Sequence, residues 1–236
     1  MATLLLIRHG QASYGQADYD RLSPRGEEQA RALGQFLASA KIDTLFVGPL
    51  KRQQQTVAFA SETAGAALPP AETLPELAEY PAFDLLQHFM PKLVAEDPSF
   101  ATLPSAPTRE LADAAFHMIL GRWMRDEWQV EGVERVSAFR DRVRAGLDRV
   151  LHGAKSGGRV ACVTSAGPIG VAVGLTFGCT AERMVRTSLV IRNASITELK
   201  FRTSQPGEGR SWHPEQVSLL TFNQTHHLPT ELHTEY

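Results

Sequence analysis

The chain opens with a short, continuous apolar run that ends abruptly at charged residues, and this junction most constrains the fold. Residues Leu4 to Ile7 are followed directly by Arg8, His9 and Gly10. An uninterrupted apolar run, rather than an alternating one, is typical of a strand covered on both faces, as in a sheet flanked by helices. The sequence therefore predicts a buried first strand with a cation, a histidine and a glycine at its carboxyl end.

The order of strand followed by helix recurs further along the chain. Ser23 and Pro24 predict the start of a first helix, because serine caps helices and proline fits the first helical turn. A short strand at 44–47 then precedes a helix over about 50–64, and a strand at 159–164 precedes another apolar helix. Such repetition indicates an α/β fold. We expect a three-layer α/β/α sandwich, with a mostly parallel sheet and helices on both faces.

The remaining segments predict helices, an insertion and a sheet edge. Apolar residues at helical spacing predict helices around 116–123 and 136–150. The proline-rich stretch at about 65–110 predicts an irregular insertion with short helices that covers the site. The last part of the chain predicts strands that include an antiparallel edge, at 189–192, 195–201 and 216–222. We interpret 1–236 as a single domain carrying this insertion.

Composition limits the partners and the compartment of the protein. A formal net charge of −2 and a pI near 6.5 give no global positive field that would attract nucleic acid or an anionic membrane. No apolar run has the length of a membrane span or of a signal-peptide core. Cys162 lies in an apolar run, which favours a buried reduced thiol over a disulfide with Cys179. We expect a cytoplasmic protein without nucleic-acid or membrane partners, and the sequence leaves its oligomeric state open.

Three polar clusters follow the predicted parallel strands, and such strand ends are where α/β sheets bind ligands. Arg8 and Arg52 carry planar guanidinium groups that match phosphate oxygens. His9 is partly neutral near pH 7, so one ring nitrogen can attack phosphorus while a hydrogen bond steers the other. Gly10 allows a close approach of the backbone to the ligand. Together with Ser165, these residues predict a site for phosphoryl transfer.

A phosphohistidine pathway also needs an acid that protonates the leaving oxygen. Glu76 and Glu79 lie in the segment LPELAEY, inside the predicted covering insertion. Burial and a neighbouring phosphate would both raise a carboxyl pKa toward the working range. The residues alone do not choose between the two glutamates.

Several motifs occur in the order in which they occur in the histidine phosphatase superfamily, which includes the phosphoglycerate mutase-like proteins. They are LLLIRHGQ, LSPRGEEQARALGQFL, GPLKRQQQT, LAEY, VTSAGPIG and NASITEL, with FNQTHHL near the end. The chain resembles this family over most of its length. The resemblance implies a phosphoglycerate mutase-like fold, His9 as the phosphorylated nucleophile, Arg8 and Arg52 as phosphoryl-binding residues, and Glu79 as the proton donor.

The third strand end departs from the family pattern. The family usually reads Val-Ser-His-Gly-Gly there, whereas this chain reads VTSAG and has Ser165 in place of the second histidine. Serine can donate a hydrogen bond to the phosphoryl group but carries no charge. Loss of one transition-state donor costs roughly 3 kcal/mol, which is about a hundredfold in rate. We therefore expect reduced turnover.

Other residues are candidates to compensate for these departures. The loop after the first strand has Ala12 and Gly15 where the family often has phosphate-contacting residues, and Gln11, Ser13 and Tyr14 are candidates to bind phosphate instead. His88 and His117 are candidates to replace the missing histidine.

The sequence thus predicts a phosphatase that hydrolyses a small-molecule phosphate monoester through phospho-His9. One alternative is a non-catalytic module that binds a phosphorylated ligand, and a second is an isomerase of the phosphoglycerate mutase type. His226 and His227 are adjacent, but no suitably spaced cysteine or carboxylate completes a ligand set, so we expect no metal and no cofactor.

Overall fold

The computed structural model describes residues 1–13, 18–103, 105, 108–152, 154–203 and 211–234. Six strands form one mixed sheet: β1 (Ala2–Arg8), β2 (Thr44–Val47), β3 (Ala71–Thr73), β4 (Arg159–Thr164), β5 (Ile196–Phe201) and β6 (Val217–Gln224). Their order is β3-β2-β4-β1-β5-β6. The first four strands in this order run parallel, whereas β5 pairs antiparallel with β1 and with β6. The predicted mostly parallel sheet with an antiparallel edge is confirmed.

Seven α-helices occur within the described residues: α1 (Pro24–Ser39), α2 (Lys51–Ala64), α3 (Ala82–Glu96), α4 (Arg109–Met124), α5 (Val136–His152), α6 (Ala166–Thr176) and α7 (Ala181–Ser188). The side chain of Ser23 caps α1 by accepting the backbone N–H of Gly26 at 3.1 Å, and Pro24 occupies the first turn. None of the described helices is both long and apolar enough to serve as a membrane span.

Helices α1 and α2 cover one face of the sheet. Their apolar residues form a buried cluster with alternate residues of the central strands, among them Leu5, Leu33, Leu45, Ala60 and Val163. The two helices touch closely at Gly34, where an added Cβ atom would lie 2.1 Å from the carbonyl oxygen of Ala60.

The opposite face of the sheet is equally buried. Leu4, Leu6 and Cys162 point away from α1 and α2 and are at most 1% exposed, and α6 contacts β1. The three-layer α/β/α arrangement is therefore confirmed. Burial raises the pKa of the Cys162 thiol, while Cys179, after α6, is half-buried. Neither thiol forms a disulfide.

The chain divides into two compact units, one formed by Met1–Glu79 with Arg142–Tyr236 and the other by Tyr80–Asp141. The second unit has its own aromatic core, in which the rings of Tyr80, Trp123 and Phe139 have centroids 5.5–6.0 Å apart. The interpretation of 1–236 as a single domain with a covering insertion stays a prediction.

Two local predictions are wrong. The proline-rich stretch is more regular than expected: α3 has 15 residues and contains Pro91, because Leu85, Phe89 and Leu93 form one buried helical stripe that outweighs the proline. The predicted strand at 189–192 is a turn after α7, since its backbone bonds locally and to the side chain of Asn223.

Candidate active site

Three strand ends meet at one edge of the sheet. The register pairs Arg8 with Thr164 and Val47 with Val163, so β1, β4 and β2 end side by side. The backbone N–H of His9 continues the ladder by donating to the carbonyl of Thr164 at 2.9 Å. The side chains that follow these strands therefore emerge together, as expected of parallel strands.

His9 is buried and held at both ring nitrogens. Its side chain lies 4% exposed at the end of β1. The Nε–H of Arg52 donates to Nε2 of His9 at 3.0 Å, and Nδ1 lies 2.7 Å from the carbonyl oxygen of Gly10. Because guanidinium nitrogens only donate, Nε2 carries the lone pair, and the proton therefore resides on Nδ1 and is donated to Gly10.

The surroundings of His9 favour its uncharged form. Burial, and then the positive charges of Arg52 and Arg8, lower the pKa of His9 well below its ordinary value, and the hydrogen bond to the Gly10 carbonyl opposes this shift only in part. The uncharged imidazole is the form that can act as a nucleophile, because its Nε2 atom keeps a lone pair, which accepts the hydrogen bond from Arg52 in this structure.

Arg52 is placed by the first turn of α2 and is only 8% exposed. Its Nη1 donates to a carboxylate oxygen of Asp20 at 2.6 Å, and the other oxygen of Asp20 accepts the backbone N–H of Lys51 at 2.9 Å. The guanidinium carbon lies 5.6 Å from the ring centroid of Tyr19. These contacts orient the guanidinium group toward His9.

Arg8 and Gln11 are tied to other parts of the first unit. Arg8 is half-buried, and its Nη1 donates to the carbonyl of Ile191 after α7. The side-chain oxygen of Gln11 accepts the hydroxyl of Ser23 at 2.9 Å, and its backbone N–H donates to the side chain of Gln29 at 2.8 Å. Their predicted roles in binding phosphate stay predictions.

Gly10 has a packing role that the sequence did not reveal. An added Cβ atom would lie 2.5 Å from the carbonyl oxygen of Gly26, so only glycine lets this loop lie against the start of α1. The N–H of Gly10 donates to the hydroxyl of Thr56 at 3.1 Å. Thr56 in turn donates to the carbonyl of Arg52 at 2.7 Å, which couples the loop to α2.

The two candidate acids have different partners. Glu76 pairs with Arg149 on α5 at 2.8 Å, and a hydrogen bond from its own backbone together with Arg149 lowers the pKa of its carboxyl group. Glu79 instead accepts the backbone N–H of Gly167 at 3.1 Å. Gly167 lies in the first turn of α6, directly after Ser165. Glu79 is therefore the glutamate whose carboxylate lies at the end of β4.

Ser165 is fully buried at the start of α6. Its hydroxyl oxygen accepts a hydrogen bond of 2.8 Å from the side-chain amide of Gln53 on α2. The sequence analysis missed Gln53 and Asp20. Gln53 lies on the same buried face of α2 as Ala60 and Ala64. This helical spacing is the signal in the sequence that distinguishes Gln53 from the other glutamines of the QQQ run.

The other candidates lie elsewhere. His88 and His117 belong to the second unit, and their part in the site stays a prediction. Tyr14 and Gly15 lie outside the described residues. His226 and His227 pack against Phe36, with ring centroids 5.8 and 5.5 Å away.

Comparison with known proteins gives one family match and several relatives. A model of the histidine phosphatase superfamily (branch 1) matches residues 4–211. A 2-carboxy-D-arabinitol-1-phosphatase of Triticum aestivum is 26% identical over 235 residues, which cover 96% of this chain and 41% of that protein. A 2,3-bisphosphoglycerate-dependent phosphoglycerate mutase of Thermobifida fusca is 43% identical over 74 residues, covering 28% of this chain and 30% of that protein. The chain thus spans less than half the length of either curated relative.

A solved structure matches over nearly its whole length. The mycobacterial glucosyl-3-phosphoglycerate phosphatase in complex with inorganic phosphate has a TM-score of 0.65 at 19% identity, covering 96% of this chain and 99% of that chain. At this identity the likeness concerns the fold. The family match over residues 4–211, which contain the His9 site, carries the assignment. This chain belongs to the histidine phosphatase superfamily.

Proposed function

We propose that this protein is a phosphatase that hydrolyses a small-molecule phosphate monoester through a phosphohistidine intermediate on His9. The hydrogen bond from Arg52 to Nε2 of His9, at 3.0 Å, is the observation that carries the proposal. It joins an uncharged nucleophilic nitrogen to a fixed cation, and phosphoryl transfer needs both positioning and charge stabilisation at the same point.

In the first step, Nε2 of His9 attacks phosphorus while the bond between phosphorus and the ester oxygen breaks. Arg8 and Arg52 bind the phosphoryl oxygens, and Ser165 and Gln11 donate further hydrogen bonds. The Nδ1–H bond to Gly10, at 2.7 Å, steadies the ring as Nε2 acquires its bond to phosphorus. Glu79 gives its proton to the departing oxygen, so that the alcohol leaves in neutral form.

In the second step, water attacks the phosphorus of phospho-His9 and the bond to Nε2 breaks. The Glu79 carboxylate takes the proton of the attacking water and is thereby restored to its acid form. Inorganic phosphate leaves, and His9 regains its lone pair.

Glu79 is preferred over Glu76 as the acid because of their different partners. Glu76 is engaged in an ion pair with Arg149 and its lowered pKa keeps it ionised, which suits a structural role rather than proton donation. Glu79 lies at the first turn of α6, beside Ser165.

The substrate class follows from the site and from the relatives' names. The two arginines, Arg8 and Arg52, around His9 suit the phosphate group of an ester, and they do not select for the alcohol part of the molecule. The wheat and mycobacterial proteins are both named as phosphatases of small phosphorylated molecules. We therefore propose a small phosphate ester as the substrate, and retain the cytoplasm as the predicted location.

Turnover of p-nitrophenyl phosphate and acid-labile labelling of the protein by a ³²P-phosphate ester test the proposal. We expect the labelled intermediate in the wild-type protein and neither label nor turnover with His9→Ala, while His152→Ala, at an exposed histidine of α5, serves as the matched control. Glu79→Gln is expected to lower kcat about a hundredfold, at the low end of the range for general acid catalysis, and Glu76→Gln to leave kcat within about twofold. Equal rates for wild type and His9→Ala would reject His9 as the nucleophile.

Two further measurements, thermal unfolding with inorganic phosphate and a product assay with 2-phosphoglycerate, separate the other two functions. A binding module, which the serine at position 165 favours, would be stabilised thermally by inorganic phosphate without turnover or label. An isomerase would convert 2-phosphoglycerate to 3-phosphoglycerate instead of releasing phosphate.

A further inference from the structure

Gln53 places a carboxamide group in the interior of the first unit, directly beside Ser165. Its side chain is fully buried on α2, one residue after Arg52. Gln53 has no role in the reaction proposed above, yet it forms hydrogen bonds with Leu50 at the start of α2, with Leu77 and with Ser165 at the end of β4. A buried amide is costly unless its polar atoms form hydrogen bonds within the protein.

The hydrogen bonds of Gln53 fix which end of the amide faces Ser165. Its Oε1 atom accepts the backbone N–H of Leu50 at 2.9 Å, and a backbone N–H can only donate. The Nε2 group therefore points the other way, where it donates to the hydroxyl oxygen of Ser165 at 2.8 Å and more weakly to the carbonyl of Leu77 at 3.4 Å. The amide is thus a donor, and not an acceptor, toward Ser165.

This donor determines what the Ser165 hydroxyl can do. Since its oxygen accepts from Gln53, its hydrogen remains to be donated to another group. Ser165 is the N-cap residue of α6, but its side chain makes no capping hydrogen bond, unlike Ser23 at the start of α1. The carboxylate of Glu79 takes the N–H of Gly167 instead. The Ser165 hydroxyl is therefore not used to cap α6. Ser165 directly follows Thr164, and His9 directly follows Arg8, the residue with which Thr164 is paired in the sheet.

Gln53 also takes up space that a larger residue at position 165 would need. The carboxamide packs against Gly48, where an added Cβ atom would lie 2.2 Å from Oε1 of Gln53, and contacts Ser165 on its other side. A histidine directed along the Cβ–Oγ bond of Ser165 would therefore meet the carboxamide. Serine at 165 and glutamine at 53 fit together as a pair.

We propose that Gln53 is a positioning residue that aims the Ser165 hydroxyl at the phosphoryl group, and that positions 53 and 165 act as one coupled unit in place of the family's second histidine. This inference rests on the proposed reaction at His9. Gln53 itself need not touch the substrate, because its effect passes through the lone pair of Ser165.

A double-mutant cycle tests the coupling. We expect Ser165→Ala to lower kcat for p-nitrophenyl phosphate about a hundredfold, and Gln53→Ala to lower it roughly tenfold with KM nearly unchanged. In the Ser165→Ala background, Gln53→Ala is expected to have no further effect on kcat, since a residue that acts through another adds nothing once the other is gone. An equal loss in both backgrounds would overturn the proposal.

A gain-of-function pair provides the second test. Ser165→His alone is expected to lower thermal stability without raising kcat, because Gln53 blocks the ring. Adding Gln53→Ala to that variant removes the obstacle, and we expect the double variant to exceed the wild-type kcat. A single Ser165→His variant that is as stable and as active as the double variant would contradict the pairing.

A measurement that does not need turnover keeps this inference separate from the proposed function. The Kd for inorganic phosphate is determined for all variants, along with their thermal unfolding. If wild type and His9→Ala prove equally inactive, the proposed phosphatase activity is rejected. The double-mutant cycle at positions 53 and 165 is then evaluated from the Kd values for inorganic phosphate instead of kcat. Non-additive losses of phosphate affinity at 53 and 165 support the coupling, and additive losses overturn it.

Discussion

His9 is an uncharged histidine between two arginines, and its tautomer can be observed directly. Arg52 donates to Nε2, and burial with the two positive charges lowers the pKa of His9. We expect the ¹⁵N resonances of His9 to report the Nδ1–H tautomer, with no protonation as the pH falls from 8 to 6.

The control for this measurement is Arg52→Gln, which removes one positive charge and the Nε–H donor. The pKa of His9 is expected to rise in this variant, because desolvation and Arg8 then act without Arg52. An Nε2–H tautomer in the wild-type protein would contradict the assigned nucleophile.

The sequence predicts the residues of this site unevenly. Arg8 and His9 stand out because a continuous apolar strand ends at them, and strand ends converge at one edge of a parallel sheet. Gln53 does not stand out, because it is one of three consecutive glutamines. Which of the three is buried depends on the rotation of α2 about its axis, and packing against β4 and β2 determines that rotation. Asp20 is missed for a similar reason, since its contact with Arg52 joins residues 32 positions apart through an irregular loop.

The α1–α2 contact at Gly34 makes a prediction about packing between helices. An added methyl group would meet the Ala60 carbonyl and the Thr63 hydroxyl at 2.1 Å, so we expect Gly34→Ala to lower the free energy of unfolding by about 2 kcal/mol. Gly121→Ala is the matched control, because its Cβ atom would lie 3.4 Å from the flexible Arg125 side chain. There alanine is expected to raise helix stability by up to about 1 kcal/mol. Chemical denaturation measures both, and a neutral Gly34→Ala would show that the two helices can separate at little cost.

Elements are predicted best where a single apolar pattern determines them. The bounds of β2 and β4 match the prediction because short apolar runs between turns leave no other arrangement. The turn at 189–192 was mistaken for a strand, since Leu189 to Ile191 are apolar as a strand would be, and only the Thr180 cap of α7 shows that a helix precedes it. In α3, the prolines obscured a helix that three buried apolar residues stabilise.

The stability of the whole chain should depend on pH through a second buried histidine. Burial, and then the neighbouring charge of His226, lower the pKa of His227 to about 4. Between the usual histidine pKa of about 6.5 and this value, the unfolded chain binds a proton that the native chain does not. The free energy of unfolding is therefore expected to fall by about 1 kcal/mol per pH unit through this one group as the pH is lowered from 6.5 to 5.

Urea denaturation at several pH values measures this dependence. His227→Gln is expected to reduce the slope by that amount, because the substitution removes the group whose pKa is lowered in the folded chain. His9 contributes with the same sign, since its pKa is also lowered by burial. An unchanged slope in His227→Gln would mean that His227 binds its proton equally well in the folded and unfolded chain.

The unequal burial of the two cysteines gives the protein a natural attachment point for a spectroscopic probe. Cys162 is fully buried in β4, and this burial raises the pKa of its thiol. Alkylating reagents therefore react with it poorly. Cys179 is half-buried just beyond α6. A fluorophore coupled there would lie at the opposite end of α6 from Ser165, and the 11 residues of this helix span about 16 Å at 1.5 Å per residue. Ligand binding at the start of α6 can thus be followed by fluorescence from its far end, without altering the natural sequence.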